Sequence, residues 1–179
     1  MVDLVRVHIG MGGNLADSLC HLVTALDELA ALAPSGCIER SALYRTAPMG
    51  PAGQPDYLNA AVRLETDLRP LELLDALQTI EGAHGRVRSE RWGPRTLDLD
   101  LLTYGSRRIV HPRLRVPHPG LAERMFVVRP LLDLGPDEVV PGVGALRDLA
   151  RSCPPWTMER VPWPALGAQL RSTGRSNDC

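Results

Sequence analysis

Asp98 and Asp100 stand two residues apart in the run Leu97-Asp98-Leu99-Asp100-Leu101. On a β-strand alternate residues share a face, so the two carboxylates point one way and the three leucines the other. Their Cα atoms would lie about 6.6–6.8 Å apart at the rise of an extended chain. Paired carboxylates at that spacing suit hard, oxygen-seeking cations such as Mg2+. Two such ions roughly 3.5–4 Å apart can clamp a phosphoryl group under attack. Taken alone, the five residues also read as a solvated strand face on which Asp and Leu happen to alternate.

The flanking residues shift the balance. Residues 86–129 hold Arg86, Arg88, Arg91, Arg95, Arg107, Arg108, Arg113, Arg115, Arg124 and Arg129, ten of the chain's 20 cationic side chains in 44 residues. A guanidinium is a planar fork that matches phosphate oxygens. An acidic pair beside an Arg-rich loop therefore suggests a polyphosphate site, whereas the same arginines could simply solvate a surface and pair with Glu81, Glu90 and Glu123. Tyr57 and Phe126 stand out in a chain with only three Tyr, three Trp and one Phe. Ring faces of this kind can enclose a planar heterocycle or merely fill a core. Asn59 shares the strand face of Tyr57, and its amide can both donate and accept at a ring edge. His118, in Val116-Pro117-His118-Pro119, reads as a loop histidine.

Other chemistries are excluded. There is no lysine in the chain, which removes a Schiff base, a P-loop lysine and a kinase-fold lysine. Gly10-Met11-Gly12-Gly13-Asn14 places Leu15 where the dinucleotide fingerprint needs glycine. It reads instead as a tight strand-to-helix turn, or as a place where backbone approaches a flat ligand. The four cysteines form no C-x-x-C pair and are expected to be reduced. Net charge is −1, which gives no general reason to expect nucleic acid or an anionic membrane. The N-terminal residues do not resemble a secretory leader and no apolar run reaches membrane-spanning length, so a cytoplasmic location is expected.

These side chains can meet only if the backbone brings them together. Residues 4–9 alternate as a strand, and apolar residues at helical spacing predict a helix over 17–33, with Asp17 or Ser18 as its cap. Strands are predicted over 37–45 and 57–67, separated by the Pro- and Gly-rich loop 46–55. A second helix spans 70–82 from Pro70. The Arg-dense loop 83–95 leads into a strand from Thr96 to Tyr104. This β-α-β-β-α-β order is the ferredoxin-like pattern, an α+β fold with one antiparallel sheet and helices on one face. Short strands and a last helix near 144–152 follow. The division expected is a domain over 1–153 and a Pro/Trp/Ser-rich extension over 154–179, mobile at its end.

Several of these segments carry a resemblance. Arg86-Val87-Arg88, the run Arg91-Trp92-Gly93-Pro94-Arg95-Thr96-Leu97-Asp98-Leu99-Asp100 and Gln54-Pro55-Asp56-Tyr57-Leu58-Asn59-Ala60-Ala61 are similar to the signatures of the 6-hydroxymethyl-7,8-dihydropterin pyrophosphokinase family. Tyr44-Arg45-Thr46, Gly12-Gly13-Asn14-Leu15 and Val116-Pro117-His118 match as well, and the resemblance covers about residues 4–150. It implies a ferredoxin-like enzyme that passes the β,γ-diphosphate of ATP to the pterin's hydroxymethyl oxygen, releasing AMP, in folate biosynthesis. Two Mg2+ ions would be held by Asp98 and Asp100, with Arg86 and Arg95 as catalytic arginines.

By the same resemblance the pterin would stack between Tyr57 and Phe126. Gly12, Thr46, Ala47, Met49, Asn59 and Trp92 would complete its site. ATP would be held by Gln78, Glu81, Arg88, Arg91, Trp92, Arg95, Leu101, Arg113, Arg115, His118 and Arg124. The implied partners are these small molecules, with no nucleic acid or membrane, and the protein is expected to be a monomer. Four positions depart from the family's usual residues. Gly13 stands for Ser, Ala47 for Pro, Arg115 for a small hydroxyl residue, and Pro119 for a larger one. The alternative of a non-catalytic ferredoxin-like nucleotide-binding module would predict a net basic face, against which the acidic pair and the net charge both count.

Overall fold

In a computed structural model, which describes residues 4–15, 17–50, 53–86 and 93–164, strand alternation sets the architecture. Val5–Gly13 forms β1, which buries Val7, Ile9 and Met11 on one face and turns His8, Gly10 and Gly12 to the other. Helix α1 (Ser18–Ala30) follows. Asp17 sits at its N-cap but makes no side-chain cap bond. The predicted strand over 37–45 is two strands, β2 (Ile38–Arg40) and β3 (Leu43–Thr46). Ser41 breaks it: its N–H donates to the Ala61 carbonyl at 2.9 Å, and its hydroxyl oxygen accepts from the Ala61 N–H at 2.9 Å.

Strand β4 (Tyr57–Thr66) leads to α2 (Pro70–Ala83), with Pro70 at its first position, where a missing N–H costs nothing. The Glu72 carboxylate accepts from the Arg69 N–H at 2.9 Å, closing the first turn. β5 spans Asp98–Tyr104. A hairpin of β6 (Ile109–His111) and β7 (Leu114–Val116) precedes a 3-10 turn at Leu121–Glu123 and α3 (Met125–Leu134). The short pair β8 (Val139–Val140) and β9 (Gly144–Ala145) leads to α4 (Leu146–Ser152) and β10 (Met158–Val161).

The sheet order is β10-β3-β4-β1-β5, with β2 also on β4, and every pairing is antiparallel. This is the ferredoxin-like arrangement with one added edge strand. Helices α1 and α2 cover one face, where Leu22, Leu26, Leu29, Leu73 and Leu77 meet Val7, Ile9, Val62, Leu99 and Leu101. Leu73 and Leu77 are fully buried, and each such side chain stabilises by about 1.5–3 kcal/mol.

The C-terminal additions cover part of the opposite face, packing Val128, Leu131, Leu146 and Leu149 on Ala61 and Leu102. Helix α3 falls where only short strands are expected from the sequence, and Pro130 lies inside it, although proline ordinarily ends a helix. Burial of Val128, Pro130, Leu131 and Leu134 against the sheet outweighs the lost hydrogen bond. β10 was likewise not expected in a stretch without periodicity. Among the described residues Cys37 and Cys153 are free thiols, as expected, and Cys179 lies outside the described residues. Among the described residues no helix is long and apolar enough to cross a membrane.

Candidate active site

The sheet face turned away from α1 and α2 is left open near the ends of β1, β4 and β5, because β1 carries glycine there. Gly12 lies in register between Asn59 and Asp98, and Gly10 between Ala61 and Asp100. A Cβ on Gly12 would come within 2.7 Å of Asn59 Oδ1. The two glycines therefore hollow the sheet floor into a cavity of about 300 Å3. Thr46, Ala47, Met49 and Tyr57 from β3, β4 and the loop between them line it together with His118, Arg124, Phe126 and Val127. Asp98 and Asp100 point into it, while Leu99 and Leu101 between and beyond them join the core beneath α1 and α2.

Asp98 is enclosed by cations. Arg86 Nη2 lies 2.6 Å from its Oδ1, and Arg95 Nη1 donates to its Oδ2. Arg86 also reaches Glu81, whose carboxylate accepts the Leu99 N–H at 2.7 Å. Burial pushes the Glu81 carboxyl above its usual range, against the Leu99 N–H and Arg86. Asp100 is raised as well, by burial first and the adjacent Asp98 carboxylate second, with His118, Arg124 and Arg86 opposing. Two carboxylates converge there, and His118 Nε2 stands 3.9 Å from the Asp100 Oδ1.

The convergence of Asp98 and Asp100 tests whether a divalent cation fits. Asp98 Oδ1 is buried and has no aligned hydrogen-bond donor, despite the nearby Arg86. Among the described residues no three or more His, Cys, Asp or Glu side chains form a cage. The chain thus offers two carboxylates and leaves other coordination positions open. Mg2+ is suited to such a place, since it commonly takes one or two protein carboxylates and completes its shell with phosphate and water.

Around the aromatic end the polar groups are fixed. The Tyr57 hydroxyl donates to the Gly93 carbonyl at 3.0 Å, and burial pushes that phenol above its usual range. Asn59 Nδ2 donates to the buried Thr46 hydroxyl at 2.8 Å, so its Oδ1 remains directed over Gly12. The His118 N–H donates to the Leu102 carbonyl at 2.9 Å, and His118 Nδ1 accepts from the Gly120 N–H at 3.1 Å, which holds the ring over Asp100.

The cavity thus gathers Gly12, Thr46, Ala47, Met49, Tyr57, Asn59, Arg95, Asp98, Asp100, His118, Arg124 and Phe126 from the expected set. Arg86 and Glu81 stand directly behind Asp98. Leu101 is buried in the core and does not line it. Gln78 on α2 and Arg113 and Arg115 on the hairpin lie outside it, although Arg113 pairs with Asp75, one turn before Gln78. Arg88, Arg91 and Trp92 lie outside the described residues.

One organising residue was not expected. Asn14 is buried and touches both loops: Nδ2 donates to the Pro55 carbonyl at 3.1 Å and to Gln54 Oε1 at 3.3 Å, and Oδ1 accepts from the Arg95 N–H at 2.9 Å. The only sequence signal is a polar residue in a Gly-rich turn, and no local spacing shows partners 40 and 81 residues away.

A ferredoxin-like sheet that presents paired carboxylates and converging arginines at the mouth of an aromatic-walled cavity describes a small-molecule phosphotransferase class. A family model, 7,8-dihydro-6-hydroxymethylpterin-pyrophosphokinase (HPPK), matches residues 8–136. The chain belongs to this pyrophosphokinase family. It is 46% identical over 157 residues to 2-amino-4-hydroxy-6-hydroxymethyldihydropteridine pyrophosphokinase of Pseudomonas aeruginosa, covering 88% of this chain and 97% of that one. The Haemophilus influenzae protein of the same name is 41% identical over 148 residues, 83% of this chain and 92% of its own. Among solved structures, wild-type Plasmodium falciparum HPPK-DHPS with pteroate superposes with a TM-score of 0.67 at 13% identity, over 84% of this chain. That likeness speaks to the fold, and the chain spans 44% of that longer protein.

Proposed function

We propose that this protein transfers the β,γ-diphosphoryl group of ATP to the hydroxymethyl oxygen of 6-hydroxymethyl-7,8-dihydropterin, giving AMP and the pterin diphosphate for folate biosynthesis. The observation that carries this reading is one cavity whose aromatic end, Tyr57 and Phe126, and acidic end, Asp98 and Asp100, share a floor emptied by Gly10 and Gly12. The pterin ring lies between Tyr57 and Phe126, with Asn59 Oδ1 at its edge. Its hydroxymethyl oxygen then points toward the carboxylates.

The reaction forms a bond from that oxygen to the β-phosphorus and breaks the bond from the β-phosphorus to the bridging oxygen of AMP, while the hydroxyl proton passes to solvent. Asp98 and Asp100 would hold two Mg2+ ions, which when bound neutralise phosphate charge and orient its oxygens. The chain's own contribution is placement and charge. Arg86 and Arg95 exchange part of their contact with Asp98 for the transferring phosphates, where charge spreads over equatorial oxygens. Arg124 and His118 also meet the phosphates. Gln78, Arg113 and Arg115, beyond the β5 end of the sheet, extend the nucleotide site.

The test mixes the full chain with ATP, hydroxymethyldihydropterin and Mg2+ and follows nucleotide products. AMP should form only when the pterin is present, and chelation of the metal should stop it. ADP as the product, or AMP formation indifferent to the pterin, would refute the reading.

A further inference from the structure

The C-terminal segment after α4 returns to the cavity. β10 pairs with β3, placing Met158 opposite Thr46, and Thr46 is the residue that holds Asn59. Two residues before β10, the indole of the half-buried Trp156 makes two directed contacts. Its Nε1–H donates to the Ala47 carbonyl at 3.0 Å. Its ring meets Phe126 edge-on, with centroids 6.0 Å apart and planes inclined by 63°. Ala47 and Phe126 both line the cavity. Trp156 is not among the lining residues, so it holds two of them from behind.

We infer that Trp156 is a positioning residue for the aromatic slot, fixing the Phe126 ring relative to the Ala47 backbone so that a flat heterocycle fits between Phe126 and Tyr57. Three physical points support this. An edge-to-face contact restricts rotation of the Phe126 ring. Ala47 precedes Pro48, which confines it to extended backbone. With that restriction, one bond to its carbonyl fixes the whole wall segment. The carbonyl lies at the surface end of β3, where it has no ladder partner in β4 beyond Thr46–Tyr57. The bond to Trp156 thus supplies an anchor that the sheet does not. A second tryptophan, Trp163, donates to the Ser41 carbonyl at 2.9 Å and stacks under Arg40, so the segment is latched on both sides of β10 and Trp156 has a fixed base.

This inference rests on assignment of the aromatic end to the pterin, and the experiment separates the two. Trp156→Phe keeps a ring against Phe126 and removes the donor; Trp156→Ala removes both. Steady-state AMP formation is measured at varied pterin and at varied ATP. Trp156→Phe should raise the pterin KM about five-fold, equivalent to ~1 kcal/mol, with kcat and the ATP KM within about two-fold. Trp156→Ala should raise the pterin KM further, about twenty-fold, so that the phenylalanine variant counts as partial rescue. Should the alanine variant not fold, the phenylalanine variant decides alone. Pterin and ATP constants that move together, or a pterin KM unchanged in an active Trp156→Phe, would overturn the positioning role and leave the assigned reaction intact. A wild-type protein that neither forms AMP nor binds the pterin would overturn both.

Discussion

Replacing Asn14 by alanine should loosen two loops at once. Its side chain makes three hydrogen bonds, to the Arg95 N–H at 2.9 Å, the Pro55 carbonyl at 3.1 Å and Gln54 Oε1 at 3.3 Å. The two shorter bonds each contribute about 1 kcal/mol net, and the orphaned main-chain groups of Arg95 and Pro55 add a desolvation cost. The expected loss is about 2–3 kcal/mol. For a chain of this size that is a fall in Tm of roughly 4–12 °C. The backbone bonds from Asn14 N and Leu15 N to the Arg95 carbonyl survive, so the fold itself should persist.

The catalytic effect should exceed the stability effect. Arg95 donates to Asp98, and small displacements of a positioned group can cost up to about 100-fold. We expect kcat/KM to drop at least about ten-fold, with both substrates affected, because Asn14 joins the pterin-side loop to the arginine loop. Asn14→Asp keeps an acceptor for the Arg95 N–H but sets a carboxylate against the Pro55 carbonyl. It should therefore raise the pterin KM more than it lowers kcat. Calorimetry and steady-state AMP formation measure both effects. An Asn14→Ala variant with Tm within about 1 °C of wild type and unaltered kinetics would show that these bonds neither hold nor place the loops.

Asp100→Asn should abolish most turnover, at least about 100-fold, while leaving the ligand-free protein as stable or more stable. Burial and Asp98 hold the Asp100 pKa above its unfolded value, so its ionised form costs stability at neutral pH; a clear fall in Tm would contradict this. Gly13→Ser should destabilise by about 1–3 kcal/mol, because a Cβ there would lie 2.3 Å from the Thr96 carbonyl oxygen, and an unchanged Tm would count against that steric reading. His8 gives a pH dependence. Its Nδ1 is 2.8 Å from the Thr103 hydroxyl, and Nε2 is 3.1 Å from Glu138 without hydrogen-bond alignment. Burial lowers its pKa below the ordinary 6.5; Glu138 and Glu39 oppose this, and Arg63 and Arg6 reinforce it. The unfolded chain therefore binds the extra proton first, and stability should fall as pH drops below about 6.5 and level off beneath the folded-state value. His8→Gln should flatten that part of the curve of Tm against pH.

The sheet and its chemistry were legible in the sequence because their signals are local. Alternation in β1, β4 and β5 is written in residue spacing, and so is the shared face of Asp98 and Asp100. Helices α1 and α2 followed from apolar residues at helical intervals and from Pro70. Where local signals conflict with packing, the sequence misleads. Pro130 speaks against α3, yet burial on the far face of the sheet keeps the helix, and Ser41 interrupts a strand that reads as continuous.

What the residues determined alone is the reaction vocabulary: two carboxylates on one strand face, arginines in place of lysines, and a scarce set of aromatics. Spacing of two and of three to four residues is enough for that, since backbone periodicity converts it into facing side chains. Tertiary structure alone decided how far apart the pieces of the cavity lie and what holds them. Asn14 reaches 41 residues to Pro55 and 81 to Arg95, and Trp156 reaches 109 to Ala47. Contacts across such distances arise from sheet order and loop packing, which leave no periodic trace in the chain.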